Sequence, residues 1–147
     1  MNRKQSAGFT LIELVIIIVV LGIVAAVAIP RVGTILESSR IGATKEEMHR
    51  LKRSIAGDPR IVAGGEYADP GFEGDVGFPP SRLVDLIRKP DSIPAYDKIT
   101  RYGWNGPYID STGGNFLYDA WDSLYQYDPS ARSLTSVGAD PDIVFSF

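Results

Sequence analysis

From Phe9 to Ile29 the chain is an almost unbroken apolar run. Phe, Leu, Ile and Val fill fifteen of the twenty-one positions, and Glu13 is the one ionisable residue among them. As a helix such a run is about 31 Å long, which matches the hydrocarbon core of a bilayer. The fifteen large apolar residues favour insertion by roughly 4.5 to 9 kcal/mol, against a cost near 3 kcal/mol for one acid at the helix centre, so a span is expected in spite of Glu13. Beyond Pro30 the pattern becomes periodic. Val32, Ile35 and Leu36, then Met48, Leu51 and Ile55, recur at steps of three and four with charges between them, and Gly57-Asp58-Pro59 stops the series. Pro30 predicts a kink rather than an end, because neighbouring groups in a span can satisfy the carbonyl it frees. One helix from Phe9 to Ala56 would be about 72 Å long. The remaining residues are too few to bury it all, so its first half must face lipid or other copies of itself.

Residues 57–80 are rich in Gly and Pro and predict an irregular connection. Ser81 then predicts the cap of a short amphipathic helix, Arg82 to Lys89, with Leu83, Leu86 and Ile87 on the face that packs on the stem. Three later stretches read as strands or strand entries: Gly106 to Ile109, Leu124 to Tyr127 and Ser133 to Val137. Alternation puts Tyr125 and Tyr127 on one face, and Trp104 and Trp121 read as apolar anchors of a small sheet. The expected class is α+β, a long N-terminal helix packed against a small antiparallel β-sheet head. The divisions are a basic leader at 1–8, an apolar helix at 9–29, an amphipathic stem at 30–56 and a globular head at 57–147.

Charge sharpens this division. The leader carries Arg3 and Lys4; residues 31–56 hold six basic and three acidic residues, and 57–147 hold seven basic and fourteen acidic. An acidic head argues against nucleic acid as a partner, while a basic stem suits lipid or charge pairing between subunits. Arg3 and Lys4 put the N-terminus in the cytoplasm and the head outside. A cleavable secretory signal ending at Ala26-Val27-Ala28 is the competing reading, disfavoured by the acid inside the run. Cysteine is absent, which removes disulfides and thiol chemistry. The single histidine, His49, reads as a solvated stem side chain and cannot build a multi-histidine metal site. Asp119 and Asp122 are the one carboxylate pair that an enzyme could use, and no nucleophile elbow or phosphate loop accompanies them. A non-enzymatic structural role is therefore expected, with a membrane-tethered binding domain as a further alternative.

Gly8-Phe9-Thr10-Leu11-Ile12-Glu13, behind a short basic leader and ahead of a long apolar run, resembles the signal of the type IV pilin and pseudopilin superfamily. The resemblance implies that a membrane prepilin peptidase cuts between Gly8 and Phe9 and that Phe9 is then N-methylated. It also implies that the Glu13 carboxylate pairs with the freed amine of a neighbouring subunit, setting the register of a filament. Gly22 and Pro30 bracket a stretch that can lose helical hydrogen bonding in such filaments.

Gly103-Trp104-Asn105-Gly106-Pro107-Tyr108, then Asp119-Ala120-Trp121 with Tyr125-Gln126-Tyr127, then Val137-Gly138-Ala139-Asp140, look like the landmarks of the major pseudopilin of type II secretion. Asp122-Ser123-Leu124 departs from that pattern where the family has a Gly and a Pro. The implied partners are copies of the chain itself in a helical homopolymer, other pseudopilins, the prepilin peptidase, an inner-membrane assembly platform and the membrane. The implied location is the bacterial inner membrane, single-pass with the head in the periplasm, and after assembly a periplasmic or surface filament. A surface or motility pilus is the alternative. Calcium is the one cofactor the resemblance raises, with Asp140 and Asp142 as weak candidate ligands. The loop that would carry the others is missing, since Pro141 joins these two acids directly, so no cofactor is expected.

Overall fold

The computed structural model describes residues 9–64, 66–111 and 115–147, without the side chains of 27–31, 63, 66 and 67. The chain divides into two compact units, 1–39 and 40–147. One helix, α1 (Leu11–Ala56), runs through both. In the first unit its described side chains are nearly all exposed, including Leu11 at 83% and Ile12 at 64%. Among the described residues no helix is long and apolar enough to cross a membrane. Within the expected span over 9–29 the described side chains reach only to Ala26, and those of 27–29 lie outside the description.

In the second unit the last turns of α1 supply the core. Thr44, Met48, Leu51 and Ile55 are buried at helical steps of four and three, one stripe along the helix. Phe72, Leu83, Leu86, Tyr125 and Leu134 pack around them. The helix stops where the sequence says it should. Gly57 takes φ +76°, a left-handed value that glycine adopts without strain, and its N–H donates to the Arg53 carbonyl at 2.7 Å. Gly71, also left-handed at φ +64°, lies against Gly57, and a Cβ on Gly71 would sit 2.9 Å from the Gly57 Cα. Two glycines thus let the incoming chain cross the helix end at backbone distance.

The sheet is antiparallel and three-stranded, in the order β3 (Gln126–Asp128), β4 (Ser133–Ser136), β5 (Ile143–Ser146), with Tyr127 opposite Leu134 and Leu134 opposite Phe145. This agrees with the α+β expectation. Period-two alternation buries Leu134 and Ser136 on one face of β4. Tyr125 is buried in the core and Tyr127 packs against that core, the shared face expected, and the Tyr127 hydroxyl donates to the Pro80 carbonyl at 2.8 Å.

Four local expectations are corrected. The irregular connection contains a two-stranded hairpin, β1 (Val62–Ala63) with β2 (Glu66–Tyr67), and a short helix, α2 (Gly71–Val76). The expected helix Arg82 to Lys89 is a single 3-10 turn, Leu83–Leu86, opened by Asp85 accepting the Arg82 N–H at 3.0 Å and not by Ser81. Gly106 to Ile109 is not a strand. Its backbone satisfies other partners instead: the Tyr108 N–H donates to Leu86 at 2.8 Å, and the Ser54 hydroxyl donates to the Tyr108 carbonyl at 2.9 Å. Finally, Trp104 packs on the core cluster, whereas Trp121 is half-buried and lies over Gly138, where a Cβ would come within 2.8 Å of the Trp121 Cβ.

Candidate functional site

Two regions carry the chemistry, and each belongs to one unit. In the first, Phe9 precedes α1 and is 74% exposed. Thr10 opens the helix: its hydroxyl oxygen accepts the Glu13 N–H at 3.3 Å and its carbonyl accepts the Leu14 N–H at 3.2 Å. A threonine at this position satisfies an amide that the first turn leaves without a partner. Glu13 therefore sits in the first turn, where an acid favours the positive end of the helix dipole. Its side chain is exposed, and among the described residues no cation is paired with its carboxylate. Gly8 lies outside the described residues. Gly22 is helical and open, with nothing within 4 Å of where a Cβ would stand, and α1 is helical through both Gly22 and Pro30.

In the second unit Asp119 is the hub of the head's far loops. Only 6% exposed, its Oδ1 accepts the N–H groups of Trp121 at 3.0 Å and Ser123 at 2.9 Å. Its Oδ2 accepts the Ser136 hydroxyl at 2.6 Å and the Gly138 N–H at 3.1 Å. The neighbouring Ala120 N–H donates to Thr44 Oγ1 on α1 at 3.2 Å. One carboxylate thereby joins the 119–123 turn to the end of β4, with an adjacent tie to the helix. Burial alone would raise the Asp119 pKa. The four donors outweigh it and hold the carboxyl below its ordinary value, because each bond favours the charged form.

Asp119 and Asp122 do line one open hollow, with Asn115 and Tyr118. Both Asp119 oxygens are already engaged by protein donors, which leaves it poorly suited to general acid or base work. Asp140 and Asp142 are both exposed, and among the described residues no group of three or more His, Cys, Asp or Glu is gathered to hold a metal. His49 is exposed, its ring edge-on to Phe145 at 4.5 Å between centroids. The Asp119 hub escaped sequence reasoning. Its one local signal was the Asp-x-Trp-x-Ser spacing, in which an Asp can accept N–H groups two and four residues on.

The comparisons with known proteins bear on both regions. Residues 3–29 match the family described as the prokaryotic N-terminal methylation motif. The chain is also 28% identical over 144 residues to the type II secretion system core protein G of Pseudomonas aeruginosa, covering 95% of this chain and 88% of that protein. The chain thus carries the methylation motif at its N-terminus and is similar to a type II secretion core protein over most of its length. This pseudopilin-like chain is similarly 27% identical over 143 residues to the type II secretion system core protein G of Xanthomonas campestris pv. campestris, covering 95% of this chain and 82% of that protein. Similarity to a pilus protein is shorter: 32% identity over 90 residues to the type IV major fimbrial protein FimA of Dichelobacter nodosus, 61% of this chain and 52% of that one. No solved structure matches the chain. The methylation-motif match includes Gly8, Phe9 and Glu13, whereas the similarity to core protein G covers 95% of the chain and so extends through the head to Asp119.

Proposed function

We propose that the chain is a non-enzymatic structural subunit of a type II secretion pseudopilus. It is held in the bacterial inner membrane by residues 9–29 with its head in the periplasm, cut between Gly8 and Phe9 by a prepilin peptidase, and methylated at Phe9. Released from the membrane, it polymerises through the same helix, alongside other pseudopilins and on an inner-membrane platform, to help export proteins.

The observation that carries this reading is the exposed apolar face of α1 with its single acid in the first turn. An apolar surface this continuous is unfavourable in water and requires cover by lipid or protein. A carboxylate among such residues is tolerated only with a compensating charge. The terminal amine created by cutting before Phe9 supplies one on the next subunit, and removing one member of such a desolvated pair costs about 3 to 5 kcal/mol. The similarity to core protein G across most of the chain favours secretion over a pilus.

Mass spectrometry of the mature N-terminus is the first test, with an N-methylated Phe9 as the expected species. Glu13→Ala should insert in the membrane normally and form no filaments. Unchanged assembly would remove the proposed role of Glu13. The partial matches to fimbrial proteins keep a pilus subunit as the second reading. Deleting the gene separates the two: periplasmic retention of secreted proteins supports secretion, and loss of surface fibres or twitching supports a pilus.

A further inference from the structure

Between Asp97 and Tyr102 the head carries a tight hairpin. The Asp97 N–H donates to the Tyr102 carbonyl at 2.9 Å and the Ile99 N–H donates to Asp97 Oδ1 at 2.8 Å. Its base is anchored to the body of the head. The Gly103 N–H donates to the Asp75 carbonyl at 2.9 Å, and Trp104 Nε1 donates to the Asp85 carbonyl at 2.9 Å. The tip holds Ile99 at 92% exposure between Lys98 and Arg101. A lone exposed aliphatic residue is ordinary. One presented on an anchored turn and flanked by two cations has the form of a preorganised contact.

The rest of the head offers its complement. From Tyr102 to Phe147 there are six acids and one basic residue, Arg132, whose guanidinium is engaged by Glu73 at 2.6 and 2.8 Å. Asp119 ties the 119–123 turn to Ser136 and Gly138, and Tyr118 bridges Leu124, so these loops are held together. On them Leu124 is 57%, Tyr118 42% and Val137 40% exposed, and Asp122, Asp140 and Asp142 in the same loops are exposed too.

We propose that in the filament the 97–102 hairpin of one copy seats Ile99 on the acidic, partly apolar loops of a neighbouring copy, at Leu124 and Val137. The proposal rests on the filament reading above. Two different patches on one chain make a heterologous contact, the kind that propagates into a helical polymer. Opposite charge at the rim sets orientation while the apolar centre is buried. The same tip is poorly suited to a lipid surface, since the head around it is acidic and anionic headgroups would repel it.

The chain has no cysteine, so the test is unambiguous. Full-length protein carrying Ile99→Cys with Leu124→Cys, assembled and mildly oxidised, should give a reducible ladder of covalent multimers. Ile99→Cys paired with Ser130→Cys, on the turn before β4, should not. Filaments that pellet normally without the ladder, or an equal ladder with Ser130→Cys, would overturn the docking and leave the filament reading standing. A wild-type chain that yields no filaments defeats both. If the cysteine pair blocks assembly, Lys98→Glu and Asp142→Lys decide: each alone should lower filament yield at least several-fold at low salt and the pair should restore it, and no restoration overturns the proposal. An impermeant maleimide should label Ile99→Cys in the unassembled Glu13→Ala background but not in filaments. Protection in both would assign the tip to the membrane and overturn the contact.

Discussion

Asp119→Asn isolates the hub with almost no change in shape. An amide keeps one acceptor oxygen and replaces the other with an NH2 donor. Placed at Oδ1 the NH2 would oppose the N–H groups of Trp121 and Ser123. At Oδ2 it opposes the Gly138 N–H alone, because the Ser136 hydroxyl can turn to accept. The second orientation is therefore the less costly. It leaves one largely buried donor unsatisfied, at about 1 to 3 kcal/mol, and removes charge assistance from the remaining bonds at roughly 0.5 kcal/mol each. The expected loss is about 3 kcal/mol, or a melting temperature lower by roughly 10 °C for a chain of this size. The assay is urea and thermal unfolding of the full chain in detergent micelles, followed by near-ultraviolet circular dichroism of Trp104 and Trp121. Asp128→Asn serves as the control. Its Oδ1 accepts the N–H groups of Ser130 and Ala131 on an exposed turn, which an amide oxygen can still do, so a change within about 0.5 kcal/mol is expected. The pH dependence follows from the lowered Asp119 pKa. A carboxyl depressed in the folded state stabilises fully above its unfolded value of about 3.9, and the contribution is lost as pH falls through the folded value. The gap between wild type and Asp119→Asn should be full at neutral pH and close below about pH 4. Asp58, held at about 2 chiefly by hydrogen bonds from the Arg60 side chain, titrates alike in both proteins and cancels from the difference. A gap under about 0.5 kcal/mol at neutral pH, or one independent of pH down to about 3, would refute the hub.

Three further outcomes are expected. Gly71→Ala should destabilise by more than about 3 kcal/mol, read as a lower urea midpoint, because its Cβ meets the Gly57 backbone and its φ is left-handed. Leu51→Ala should cost about 3 kcal/mol at a fully buried position, whereas Leu124→Ala, 57% exposed, should cost under about 0.5 kcal/mol by the same assay. Millimolar calcium should leave the melting temperature unchanged, since Asp140 and Asp142 belong to no group of three or more ligating side chains among the described residues; a clear upward shift would restore calcium as a cofactor.

The long helix was legible because everything that makes it is local. Apolar spacing, Pro30 in place and Gly57 at the stop predict Phe9 to Ala56, and the helix runs Leu11–Ala56. The residues proposed for processing and assembly, Gly8, Phe9 and Glu13, are local in the same way and lie within one short motif. Only the tertiary structure decided the head's interior. Asp85 caps a turn that spacing alone would extend into a helix, and Tyr108 spends its backbone on Leu86 and Ser54 in place of a strand neighbour. Ile143–Ser146 holds strand-favouring residues, but a run of four is too short to assign without its pairing to β4. Asp119 reaches Ser136 and Gly138 across seventeen and nineteen residues. No local pattern encodes a bond of that reach: it exists because the sheet and helix bring the two loops together, and burial then makes the carboxylate's partners obligatory.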